Sequence, residues 1–199
     1  MQILSTIGYW FAALIVATFP AAILYWLIIH PFAGFWRRLG KATSFSVVGA
    51  ICIAVSVLIG LQHGQLLAVH WGYHWALIAA GLVLYGIGIY GERLIRRHLK
   101  YGILAGAPEL DADKPGHLLT DGIYAHSRNP RYVNLIVALL GWALILNYPA
   151  LYVVTAICVP MLYLIVLLEE RELRQRFGEP YEAYCRQVPR FFPRFRKAS

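Results

Sequence analysis

Apolar positions gather in five long runs along this chain, at about Ile7 to Ile29, Phe45 to Leu61, Trp75 to Tyr90, Tyr132 to Leu146 and Pro149 to Leu168. Each run is near the ~20 residues that a helix needs to cross a bilayer, or somewhat short of it. The pattern predicts an all-α integral membrane protein with about five transmembrane helices. The first run lacks a basic head and a clear cleavage signal and is too long for a leader, so it reads as a retained span.

The connections carry their own signals. From Gly91 to Tyr101 the chain turns basic but keeps Leu94, Ile95 and Leu99, so the third helix is expected to continue along the membrane surface as an amphipathic segment. Gly102 to Gly116, with Gly106, Pro108 and Pro115, reads as a loop able to act as a lid. After Leu168 the expected order is helix to about Phe177, a break at Gly178 to Pro180, a short helix and an extended end folding back over the mouth. The chain reads as a single membrane domain: a three-helix scaffold (1–91), an amphipathic segment and loop (92–131), a helical hairpin (132–168) and a charged tail (169–199).

Charge fixes the expected orientation. With five spans, all 18 Lys and Arg and all 10 Asp and Glu fall on one side, which the positive-inside rule makes cytoplasmic. The N-terminus is then outside the cell or inner membrane, and the C-terminus inside. The net charge of +8 is accounted for by this topology and by anionic membrane lipids, with no nucleic-acid partner implied. Tyr9, Trp10, Trp26, Trp71, Tyr73 and Trp75 lie near the predicted interfaces, as an aromatic belt would. Cys52, Cys158 and Cys185 form no CxxC and suggest no disulfide. His70 and His74 are spaced i,i+4 with His63 nearby, but no Cys or acidic residue joins them, and no metal site is expected.

The chemistry concentrates at the two feet of the last hairpin. Asn129 followed by Pro130 is a helix-start signal, with Asn as cap and Pro at the first helical position. The positive end of that helix and the Arg128 fork would favour a carboxylate. The tight turn at Asn147 to Pro149 returns Glu169 and Glu170 beside them, where two carboxylates at the hydrocarbon edge call for a cation. A zwitterionic amino-acid moiety would satisfy both feet. Plainer readings exist for each part: Arg128 and Arg131 as topology charges, Glu170 with Arg174 and Glu172 with Arg176 as i,i+4 pairs, and Tyr124 and Tyr132 as interface aromatics.

The ordered set Gly122-x-Tyr124-x-x-x-Arg128-Asn129-Pro130-x-Tyr132, Glu169-Glu170, Phe177-Gly178-x-x-Tyr181-x-x-Tyr184 and Val188-Pro189-Arg190-Phe191-x-Pro193 resembles the isoprenylcysteine carboxyl methyltransferase family and its phospholipid-methyltransferase relatives. The likeness covers roughly Leu118 to Arg194. It implies an integral membrane methyltransferase that uses S-adenosyl-L-methionine in a cytoplasm-facing pocket, with a lipophilic substrate entering sideways from the bilayer. By the resemblance, Leu119, Gly122, Tyr124, Arg128, Asn129, Pro130, Tyr132, Glu169, Glu170 and Tyr181 are expected to bind the cofactor, with Arg128, Tyr132 and Glu170 closest to the chemistry.

Two departures matter. The family's usual histidine is Asn129 here, which can donate a hydrogen bond but cannot serve as a base near neutral pH. Ile165-Val166-Leu167-Leu168 stands where eukaryotic carboxyl methyltransferases carry an arginine, which weakens the case for a prenylcysteine carboxylate as acceptor. Two competing readings are an NADPH-dependent reductase resembling the membrane sterol reductases and a non-enzymatic scaffold.

Overall fold

The computed structural model describes residues 2–98 and 118–192, so the loop expected at 102–116 and the tail from Pro193 onward lie outside the described residues. All regular structure among the described residues is helical. In chain order these helices are α1 (Gln2–Ile29), α2 (Ala33–Leu39), α3 (Lys41–Gly60), α4 (His63–Leu66) and α5 (Trp75–His98). A single 3-10 turn (Gly122–Ala125), α6 (Pro130–Leu146), α7 (Pro149–Phe177) and α8 (Glu179–Gln187) follow.

α1, α3, α5 and α7 are long and apolar enough to cross a membrane, and α6 is a shorter apolar helix. At 1.5 Å per residue its 17 residues reach about 26 Å, close to the thickness of a hydrocarbon core. The helices extend past the apolar runs because the runs mark only the hydrocarbon depth. α5 continues unbroken from Trp75 to His98, so the described part of the basic amphipathic stretch is its own last turns, and α7 carries Glu169 to Arg176 on a helical extension. The tail breaks at one residue, Gly178, whose φ of 59° lies in the left-handed region.

Neighbouring helices run in the order α3, α1, α7, α6, α5. Ala12, Ile15 and Val16 of α1, Leu139 and Ala143 of α6, and Leu151, Leu162 and Ile165 of α7 form the central core. Ile53, Val57 and Leu58 of α3 and Leu82, Val83 and Ile87 of α5 point outward, as lipid-facing residues do. Lipid is as apolar as leucine, so close backbone approach has to hold α5 against α6. A Cβ on Gly81 would lie 2.6 Å from the Gly141 carbonyl oxygen, and one on Gly88 would press on Ala138.

The two ends of the bundle are stapled differently. Asn147, left-handed at φ 52°, makes the α6–α7 turn, donates from Nδ2 to the Gly72 carbonyl at 2.7 Å, and accepts from the Tyr152 hydroxyl at 2.9 Å. Its carbonyl takes the Trp71 N–H. At the other end α2 turns the chain from α1 to α3. Trp36 is buried and donates to the Ile28 carbonyl, while the Ser44 hydroxyl donates to the Trp36 carbonyl.

Candidate cofactor and acceptor site

The reversal at Asn147 brings α7 back beside the start of α6, and the two feet of the hairpin meet. Glu170 is 1% exposed, and its carboxylate accepts from Asn129 Nδ2 at 3.0 Å. Arg128 Nη2 pairs with it at 3.1 Å, and Arg190 reaches back from the tail to grip it through Nη2 at 2.9 Å and Nε at 3.2 Å. A carboxylate taken out of water needs this much compensation, and the chain supplies it from its own guanidiniums. Burial pushes the Glu170 carboxyl upward, but the Arg190 hydrogen bond and the Arg128 charge outweigh it, holding the group below the usual carboxylate range.

The tail closes this end. The N–H groups of Arg128 and Asn129 donate to the carbonyls of Pro189 and Arg190 at 3.0 and 3.1 Å. Arg128 Nη1 donates to the Cys185 carbonyl, and the Tyr184 hydroxyl to the Tyr124 carbonyl. α6 does start at Pro130, but Asn129 does not cap it: its side chain makes no capping bond and goes to Glu170 and the Arg190 carbonyl. The buried carboxylate outcompetes the helix end, because an unpaired charge costs more than an unpaired N–H. Arg128 Nε remains buried without an acceptor among the described residues.

Glu169, one position earlier on α7, takes a different direction. Tyr132 donates its hydroxyl to Glu169 Oε2 at 2.6 Å. Tyr132 also lines a cavity of about 530 Å³ between α1, α5, α6 and α7. Phe19, Ile23, Tyr85, Leu135, Ala138 and Leu162 make its walls mostly apolar, while Glu92, Arg93, Arg131 and Asn134 crown its basic end. Trp26 forms one flank, stacked on His30 and covered by the Arg131 guanidinium 5.3 Å from its ring centre. Its ring therefore faces protein and cavity, unlike a lipid-facing belt residue. Ala22 of α1 and Ile89 of α5 are exposed along the rim. Burial pushes the Tyr124 phenol up, with the Glu169 carboxylate adding to the effect, so that phenol stays protonated.

Residues 76–180, a little over half of the chain, match the model of the phospholipid methyltransferase family. The chain belongs to that family. It is 34% identical over 77 residues to the protein-S-isoprenylcysteine O-methyltransferase of Schizosaccharomyces pombe, an alignment covering 38% of this chain and 33% of the relative. It is 29% identical over 148 residues to the nickel-cobalt-cadmium resistance protein NccN of Alcaligenes xylosoxydans xylosoxydans, covering 74% of this chain and 64% of that one. The cobalt-zinc-cadmium resistance protein CzcN of Cupriavidus metallidurans is 29% identical over 167 residues, with 83% and 71% covered. The chain thus spans about a third to two thirds of the length of the first two relatives. No solved structure matches.

The matched segment of this phospholipid methyltransferase family member contains α5, α6 and α7, which build most of the cavity. Of the residues expected at the site, Arg128, Asn129 and Glu170 are joined in the clasp, and Tyr132 and Glu169 form the pair beside the cavity. Pro130 opens α6, and Tyr181 is buried under the clasp on α8. Gly122, with φ 59°, starts the 3-10 turn that buries Tyr124, and Leu119 is half-buried just before it. Arg190 is the contributor that sequence reasoning left out of the site, although the Val188-Pro189-Arg190 motif pointed to it. Trp26, Arg93 and Asn134 carried no motif and emerge only from packing. His63, His70 and His74 are engaged with the Tyr9 hydroxyl and the carbonyls of Leu146 and Trp71, and no three metal-ligating side chains converge among the described residues.

Proposed function

We propose that this protein is an S-adenosyl-L-methionine-dependent methyltransferase that modifies a lipophilic acceptor drawn from the bilayer, working from the cytoplasmic side. The observation that carries the reading is the cavity itself. It lies within the size range of small-molecule sites, is apolar toward mid-membrane and polar at its basic end, and sits in the family-matched helices.

The residues present fit such a cofactor. Tyr132 lines the cavity and holds the Glu169 carboxylate behind it, a negative charge suited to a nearby ammonium, while Arg93 and Arg131 in the lining offer guanidiniums to a carboxylate. Tyr85 provides aromatic surface for an adenine ring. Bound there, the cofactor would supply an electrophilic methyl on a sulfonium, which the acceptor's nucleophile would take in line as the neutral thioether leaves.

The chain's part in this chemistry is positioning and exclusion of water. α1 and α5 both flank the α6–α7 pair with the cavity between them, so a lipid chain can lie along Phe19, Ile23 and Leu135 while its head meets the polar crown. Tyr132 orients Glu169, and the Glu170 clasp fixes the foot of α6 that carries Tyr132. With asparagine at position 129, an acceptor that is already anionic or thiolate needs no proton removed by that residue.

Membranes containing the protein, incubated with radiolabelled S-adenosylmethionine, should transfer label to the organic-solvent extract. Ala22→Trp, which fills the cavity from its rim, should cut that transfer at least about tenfold while the protein stays folded. Binding of NADPH without binding of S-adenosylmethionine would assign the cavity to a reductase instead.

A further inference from the structure

A second cavity, of about 450 Å³, lies between the α1–α2 corner and the basic end of α7, and it shares no lining residue with the first. Its polar walls come from His30, Arg37, Arg171, Glu172, Gln175 and Arg176. Glu172 organises them: it takes Arg37 at 2.9 Å, Arg176 at 2.5 Å and His30 at 3.3 Å. Two guanidiniums thus hold one carboxylate, and a third, Arg171, lines the same cavity without an ion pair among the described residues. The excess is cationic.

The position of the cavity narrows the ligand. α2 buries Ala33 and Trp36 while exposing Phe32, Phe35 and Leu39 beside Arg37 and Arg38. A short helix with exposed aromatics and arginines lies in the interface, its rings among acyl chains and its cations among headgroups. The cavity opens beside that helix, so its guanidiniums stand at phosphate depth. A planar guanidinium fork matches phosphate oxygens better than an ammonium does, and all three cations here are arginines.

We infer that the pocket between the α1–α2 corner and α7 binds a phosphate group of net negative charge, presented by an anionic lipid or as free phosphate, through Arg37, Arg171 and Arg176. Glu172 serves as the internal brace that keeps Arg37 and Arg176 turned toward one space. This assignment is independent of the methyl-transfer reading, because neither the first cavity nor its cofactor takes part.

The full chain, purified in neutral detergent micelles doped with phosphatidylglycerol or phosphatidylcholine, provides the test by native mass spectrometry. The wild-type protein should retain phosphatidylglycerol over phosphatidylcholine. Arg171→Gln, at an exposed position without an ion pair, should reduce that retention roughly tenfold without disturbing the fold. Arg186→Gln, an equal charge loss on α8, should not. Titration of lipid-free protein with inorganic phosphate separates the sources: heat that disappears in Arg171→Gln identifies free phosphate as a ligand, and its absence beside retained phosphatidylglycerol assigns the site to lipid. Equal retention of the two lipids together with no heat from phosphate, or retention of phosphatidylglycerol in Arg171→Gln equal to wild type, overturns the proposal.

Discussion

At position 170 a carboxylate almost wholly removed from solvent is held by Arg128, Arg190 and Asn129. Breaking a buried ion pair by removing one partner leaves an uncompensated charge, so Glu170→Gln should cost about 3–5 kcal/mol, read as the midpoint of thermal unfolding in detergent. Asn129→Ala, which removes one donor, should cost about 1–3 kcal/mol, and Asn129→His should recover part of it by restoring an N–H. The pH dependence has a definite sign. Because the Glu170 carboxyl is held below its ordinary value near 4.5, its contribution is complete above that value and is lost as pH falls through it toward the lower folded value. Proteolysis in the tail should therefore be slow at neutral pH and accelerate as the medium becomes more acidic than the ordinary carboxylate value near 4.5; a flat profile through the acidic range would contradict the assignment. Two feet of opposite charge meeting at the hairpin base could be expected from sequence, since the Asn147 turn dictates it. The completeness of the neutralisation could not, because Arg190 lies beyond a helix break and its return depends on how the tail folds.

Helices were the legible part of the sequence, and their ends were not. Apolar runs marked α1, α3, α5, α6 and α7, but hydropathy stops at the membrane surface while the hydrogen-bonded ladder continues, so α5 and α7 overrun their apolar runs by turns that carry Glu92, Arg93, Glu169 and Glu170. The small α2 was hidden because its mixed aromatic and basic residues read as a connection. Packing between elements turns on features without hydropathic signal, such as the glycines between α5 and α6. Gly81→Leu places a branched side chain against the Gly141 carbonyl and Ile145, and no rotamer avoids the backbone. It should prevent stable α5–α6 packing, seen as loss of folded protein after extraction, whereas Gly86→Leu, with open space around its Cβ, should be tolerated. At the opposite end, Asn147→Ala removes two side-chain hydrogen bonds and places alanine at a left-handed φ, for an expected loss of about 2–3 kcal/mol in the same assay.

Across the molecule, the described basic residues, the polar cavity and the basic end of the apolar one belong to one end of the bundle and the Asn147 staple to the other. Positive-inside topology predicts that an impermeant maleimide applied to intact cells labels Gln65→Cys but neither Arg38→Cys nor Glu179→Cys, with all three reacting after permeabilisation. Labelling of Glu179→Cys in intact cells would reverse the orientation. The family likeness came from polar motifs confined to residues after 118, while the cavity draws one wall from α1, which carries no motif; this division explains why the chemistry was readable earlier than the chamber that shapes it.

Arg190 has one more consequence, for the order in which the protein is made. Every described helix precedes it in the chain, so the last of the guanidiniums around Glu170 is synthesised after Arg128, Arg174 and the carboxylate itself. The closing strap is made after every described helix. A product cut short by a nonsense codon before Arg190 would keep its apolar helices but carry an under-neutralised acid at the base of the last hairpin, a ready mark for membrane proteases that survey unfinished chains.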